Sequence, residues 1–245
     1  FKLAHALLGE FPEEMVELAA IGTIADLVSL TDENRTIAKL GIAQMKHTQR
    51  IGLVSLLEKL SVKMDKLDEK TIGFQIGPRL NALGRLGDAT PGVQLLTTFD
   101  DEEAESIVNF MQSENERRQA IVNQIVEEAT PLIASQAQQP ILVLAQPAWH
   151  EGVLGIVASR IVEQTGKPTI VLGISEDGLT AKGSGRSFGE FNLYDALTSV
   201  KDHLLKFGGH HMAAGLTVET IMLPTIIEGL EQYAKEHQDL LDAKA

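Results

Sequence analysis

Between Pro140 and Leu172 the chain carries two apolar runs, Ile141-Leu142-Val143-Leu144-Ala145 and Pro168-Thr169-Ile170-Val171-Leu172. A helical stretch from Gly152 to Gln164, ended by Gly166, separates them. Continuous apolar runs bounded by proline read as strands buried on both faces. Strand, crossover helix and strand make a βαβ unit, with parallel strands and a right-handed crossover. The C-terminal part is therefore expected to be an α/β domain with a mixed sheet. Further strands are expected near Leu179 to Gly183 and Met212 to Val218, and helices near Leu193 to Leu205 and Ile221 to His237.

Upstream the texture is helical. Glu13 to Ala20, Asn34 to Met45 and Gly52 to Leu60 carry apolar residues at helical spacing. Gly77-Pro78, Gly84, Gly87 and Pro91-Gly92 read as turns between short helices. From Asp100 to Ser135 runs the longest helical signal, with Asp100, Asp101, Glu102 and Glu103 at its start, where carboxylates favour the helix dipole. A domain boundary is expected inside or just after this helix, which suits a connector.

Composition limits the function classes. The formal net charge of −13 argues against a generally basic, nucleic-acid-coating protein. Aromatic residues are 4% of the chain, too few for a row of base-stacking rings. With no cysteine there is no disulfide, thiolate metal site or cysteine nucleophile, which fits a reducing, cytoplasmic location. No apolar run approaches the roughly 20 residues that span a bilayer, so no membrane partner is expected. The chain starts at Phe1 in what reads as the middle of an amphipathic helix, and is expected to be a piece of something longer.

Five clusters carry the chemistry. Phe207-Gly208-Gly209-His210-His211-Met212-Ala213-Ala214-Gly215 combines backbone that a ligand can approach with imidazoles that can bond phosphate or metal. Its bland reading is a glycine turn leading into a strand. Asp26, a lone carboxylate in an apolar run, is either a helix cap or turn residue or a ligand for a hard divalent cation. Gly77 to Gly87 sets Arg79 and Arg85 among glycines, as a loop for bidentate phosphate recognition. His150 lies where the first strand passes into its helix, a favoured ligand position that a structural capping histidine also fits. Ala181 to Ser187 reads as a small-residue loop with Lys182, Ser184 and Arg186, similar in logic to an anion nest.

Ala25-Asp26, Gly77-Pro78-Arg79-Leu80-Asn81-Ala82-Leu83-Gly84-Arg85, Trp149-His150 through Arg160, Ser184-Gly185-Arg186-Ser187 and Gly208-Gly209-His210 through Gly215 resemble, in that order, the motifs of the RecJ family. These are single-strand-specific 5′→3′ DNA exonucleases of the DHH phosphoesterase superfamily. The resemblance covers about Phe1 to His237. It implies the C-terminal part of a DHH catalytic domain at 1–98, a connecting helix at 99–136 and a DHH-associated substrate-binding domain at 137–245. The family's aspartate-rich and Asp-His-His motifs, which supply most metal ligands, have no match here, and neither has its OB-fold.

For the intact enzyme the resemblance implies hydrolysis by two Mn²⁺ or Mg²⁺ ions. Asp26 would be a metal ligand, catalytic together with His150. Arg79, Asn81, Arg85, Ser184, Arg186, Gly208, Gly209 and His210 would bind substrate phosphates. Single-stranded DNA is the implied partner, with single-strand-binding protein and helicases as family partners. No role is implied for Glu151, and His211 falls at a variable position of the motif. Two other readings stand: a DHH-family phosphodiesterase for short oligonucleotides or cyclic dinucleotides, and a non-catalytic nucleic-acid-binding module.

Overall fold

A computed structural model describes residues 1–242. The chain divides into two compact units, Phe1–Arg118 and the part from Gln119 onward.

The first unit is helical: α1 (Lys2–Leu8), α2 (Val16–Ala25), α3 (Asp32–Met45), α4 (Ile51–Lys59), the single turn α5 (Glu69–Thr71), α6 (Gly77–Leu86), α7 (Thr90–Thr97) and the start of α8 (Asp101–Ser135). Its core gathers Ile21 and Ile24 of α2, Met45, Leu53, Leu56 and Leu57, Ile72 and Ile76, Leu95, and Val108 and Met111 of α8. Buried Glu17 is held by Arg50, Nε to Oε1 at 2.6 Å, and Arg50 also donates to the Glu14 carbonyl. The glycine-flanked arginine segment differs from the loop its composition predicts. It is helix α6, with Pro78 in the first turn, where a missing amide proton costs nothing. Before it, Ile72–Ile76 forms a π-helical turn, a wider coil often found at functional sites.

The second unit holds the end of α8, β1 (Leu142–Pro147), α9 (Leu154–Thr165), β2 (Thr169–Ile174), β3 (Thr180–Arg186), α10 (Leu193–Ser199), β4 (Leu204–His210), β5 (Ala213–Glu219) and α11 (Leu223–Glu236). Its five strands are ordered β1-β2-β3-β5-β4. The pair β1 and β2 is parallel across α9, as the two apolar runs predict, and the remaining pairs are antiparallel. One face of the sheet, with Ile170, Leu172, Ala214 and Leu216, packs against α10 and α11 through Leu193, Leu197, Ile226 and Leu230. On the other face α9 packs over β2 and β3. Gln136 at the end of α8 bonds both the amide and the carbonyl of Val143.

Two local expectations give way here. Ser184-Gly185-Arg186 ends strand β3 rather than forming a loop. Its small residues serve close packing: a Cβ on Gly185 would lie 2.7 Å from Leu193. The histidine-glycine segment is itself strand β4, ending at His210, and only His211 and Met212 turn the hairpin into β5.

Candidate nucleic-acid interface

Strand register lays out one face of the outer sheet as three rows. Lys182 pairs with Thr217 and Thr217 with Lys206; Ser184 pairs with Gly215 and Gly215 with Gly208; Arg186 pairs with Ala213 and Ala213 with His210. Because side chains alternate along a strand, these nine residues share one face. Hydrogen-bond donors line both sides, on β3 and on β4, and small residues run between them on β5. Neighbouring strands are about 4.8 Å apart, so the two donor lines are about 10 Å apart, a width that suits one phosphodiester strand. A shallow cleft of about 260 Å³ is lined by Lys182, Lys206, Gly208, Gly215 and Thr217.

The glycines of this floor are not alike. Gly209 has φ +146°, and a Cβ there would lie 2.3 Å from the Ala213 carbonyl, so the hairpin itself requires glycine. At Gly208 a Cβ would meet nothing within 4 Å, and at Gly215 its nearest neighbour would be the Gly183 carbonyl at 3.7 Å. Neither shows a positive φ. Glycine inside a strand sacrifices roughly 0.5–1 kcal/mol relative to alanine. At these two positions nothing in the fold repays that cost.

Ser184 and Arg186 lie under the first turn of α9. Arg186 Nη1 donates to Ser184 Oγ at 2.9 Å and to the Gly185 carbonyl at 2.8 Å. A Cβ on Gly155 would fall 2.7 Å from Arg186 Nη2 and 3.2 Å from Ser184 Oγ, so glycine there lets the guanidinium lie along the helix start.

His150 precedes a short 3₁₀ turn, Glu151–Val153, and its Nδ1 accepts the Gly152 amide proton at 3.2 Å. An accepting Nδ1 leaves the proton on Nε2, the nitrogen free to donate to an anion. Its neighbour Trp149 is buried, and the indole Nε1 donates to Glu128 Oε2 of α8 at 2.7 Å. Hydrogen bonds from Gln124 and Trp149 hold the Glu128 carboxyl below its usual range. A carboxylate with a lowered pKa contributes stability above its ordinary pKa and loses it as pH falls through the lowered one. Fluorescence of Trp149, the single tryptophan, should therefore stay constant through the ordinary glutamate range and change only below it. In Glu128→Ala that acid transition should vanish. A transition at the ordinary glutamate pKa would break the assignment.

In the first unit, Asp26 is the exposed C-cap of α2, and the next residue, Leu27, has φ 57° and is 87% exposed. The helix dipole is negative at this end, so the carboxylate there does not stabilise the helix. The end of α2 touches the start of α6: a Cβ on Gly77 would lie 3.0 Å from Ala25 Cβ. Arg79 on α6 is turned inward, donating to Gln112 at 2.9 Å and to the Gln75 carbonyl at 2.8 Å. Burial pushes its guanidinium pKa down, against the neighbouring charge of Glu116. Asn81 and Arg85 are exposed and four residues apart, so they share a helix face. Among the described residues no three His, Cys, Asp or Glu side chains gather as a metal-binding group. Asp26 is thus a single exposed carboxylate, and the described residues do not gather a two-ion site around it.

The structure brings together Ser184, Arg186, Gly208 and His210 on one sheet face, and Asp26 beside α6 with Arg79, Asn81 and Arg85. Lys206 and Thr217 of the interface escaped the sequence reading. The alternations Lys206-x-Gly208-x-His210 and Ala213-x-Gly215-x-Thr217 are the signals that mark them. Among the described residues no helix is long and apolar enough to cross a membrane.

The DHHA1 domain family model matches residues 138–236. Over 235 residues the chain is 46% identical to the single-stranded-DNA-specific exonuclease RecJ of Bacillus subtilis, covering 96% of this chain and 30% of that protein. The protein of that name from Thermus thermophilus is 35% identical over 228 residues, 93% of this chain and 33% of its own. A crystal structure of Thermus thermophilus RecJ in complex with Mg²⁺ superposes with TM-score 0.84 at 36% identity, covering 95% of this chain and 36% of that one. A crystal structure of exonuclease RecJ bound to manganese gives TM-score 0.81 at 33% identity, covering 98% of this chain and 60% of that one. The chain spans about a third of the length of the curated relatives it matches. On the shared motifs, the identity and the superposed fold, the chain is similar to about a third of a RecJ protein, and its residues 138–236 match the DHHA1 domain.

Proposed function

We propose that this chain is the strand-holding part of a metal-dependent, single-strand-specific 5′→3′ DNA exonuclease. The observation that carries the reading is the floor of Gly208 and Gly215, two strand glycines that the fold does not need, between lines of phosphate donors. A sugar-phosphate backbone lying on that floor explains them. Arg186, Ser184, His210, Lys182 and Lys206 bond its phosphates, and Nε2–H of His150 donates to the phosphate nearest the reaction. Asn81 and Arg85 contact a further phosphate from the exposed face of α6, and Arg79 braces that helix.

Asp26 is, in this proposal, one ligand of the Mn²⁺ or Mg²⁺ pair, whose chemistry is activation of water and stabilisation of the leaving oxygen. Residues 1–98 then belong to the catalytic domain, 99–136 to a connecting helix and 137–245 to the substrate-binding domain. A cytoplasmic setting is consistent with the absence of cysteine. Single-strand-binding protein and helicases as partners rest on the family resemblance alone.

Gly155→Ala tests the strand-holding role without unfolding the protein. The new methyl meets the tip of a flexible arginine and displaces the guanidinium. Alanine meanwhile improves helix propensity by roughly 0.5–1 kcal/mol. Thermal stability should hold or rise, while affinity for a 5′-phosphorylated oligonucleotide falls as in Arg186→Ala, and both salt slopes drop by roughly one phosphate. Unchanged affinity and slope in both variants would overturn the interface.

A further inference from the structure

Resting on that reading, we propose that Glu151 is a built-in competitor for the backbone phosphate that Lys182 binds, and so a positioning residue that sets how tightly the strand is held. Glu151 Oε2 lies 2.7 Å from Lys182 Nζ, and both side chains are about 60% exposed. Lys182 stands in the interface row with Thr217 and Lys206 and lines the cleft between β3 and β4. Toward an ammonium group, a carboxylate oxygen at this distance occupies the place a phosphate oxygen would take.

The backbone that carries the carboxylate runs beside the lysine. The Trp149 carbonyl lies where a Cβ on Gly173 would be, 2.2 Å away, and Gly173 is the β2 partner of Lys182. The segment carrying His150 and Glu151 thus crosses β2 beside the lysine. An exposed pair of this kind is worth only about 0–1 kcal/mol, so an arriving phosphate can displace it. Each phosphate that moves onto Lys182 must first release Glu151, and each that leaves is replaced by it. Exchange between the two anions weakens the grip on any one phosphate and eases the advance of the strand.

The test is fluorescence anisotropy of a labelled 5′-phosphorylated oligothymidylate against the purified 245-residue chain over a series of salt concentrations. Glu151→Gln should bind about two- to five-fold more tightly at low salt, the range set by the worth of an exposed ion pair. Its salt slope should steepen by up to about one phosphate. Glu151→Asp should stay close to the parent. In the Lys182→Ala background Glu151→Gln should have no further effect, because the carboxylate acts through the lysine. An equal gain in that background would mean that Glu151 merely repels DNA at long range, and an unchanged affinity and slope in Glu151→Gln would equally overturn the proposal. Arg186→Ala, measured alongside, separates the two readings: if it weakens binding while Glu151→Gln does nothing, only the competitor role falls; if neither matters, the interface itself falls.

Discussion

Supplied with Mn²⁺ and 5′-phosphorylated single-stranded DNA, the purified 245-residue chain should release no mononucleotides. Two-ion phosphodiester hydrolysis needs ligands around a pair of cations about 3.5–4 Å apart. Hard divalent cations each take about six or more oxygen donors, and water fills only part of that shell. Asp26 offers one carboxylate, and the described residues contain no cluster of three acidic or histidine side chains to complete a site. Mn²⁺ should for that reason also leave the thermal unfolding temperature unchanged, since a ligand that binds the folded state would raise it. Chromatography of the reaction products and a melting curve with and without metal check both halves. Dose-dependent 5′→3′ degradation abolished by Asp26→Ala would show that the chain holds a working metal centre.

Phe191→Ala should cost the second unit about 3–5 kcal/mol, the usual loss for a large aromatic removed from a core. Phe191 is fully buried, and its ring meets Tyr233 of α11 edge-on at 5.9 Å between centroids. Its carbonyl accepts the Ser187 hydroxyl. The ring therefore fastens the segment between β3 and α10 to the far side of the sheet from the interface. Urea unfolding followed by Trp149 fluorescence reports on this unit alone, because the chain has no other tryptophan. A loss under about 1 kcal/mol would show that the neighbouring side chains collapse into the space.

Where burial on both faces leaves an unbroken apolar run, as in β1 and β2, the elements are plain in the sequence, and so is the acidic start of α8. The signal weakens where packing rather than patterning decides. Gly77 and Gly84 look like breakers, yet both lie within α6. Leu204 to His210 looks like the end of a helix followed by a turn, because Gly208 and Gly209 carry no strand propensity; pairing with β5 makes it a strand. The π-helical turn Ile72–Ile76 has no compositional mark at all. Of the candidate interface, the chemistry of Ser184, Arg186 and His210 singles them out in the sequence, whereas Lys206 and Thr217 carry no such mark. Which of them share a surface depends on strand register, and that needs the paired hairpin.

A methyl group would fit at Gly208 and Gly215 without a clash, and both have ordinary backbone angles. A screen that scores variants by abundance or heat resistance would pass most replacements there, and some would score better than the parent. A screen that scores survival after DNA damage would, on the proposed function, reject the same replacements. The two rankings should part most sharply along this strip of sheet, so an inherited change here would disable the protein while every test of its folding came back normal.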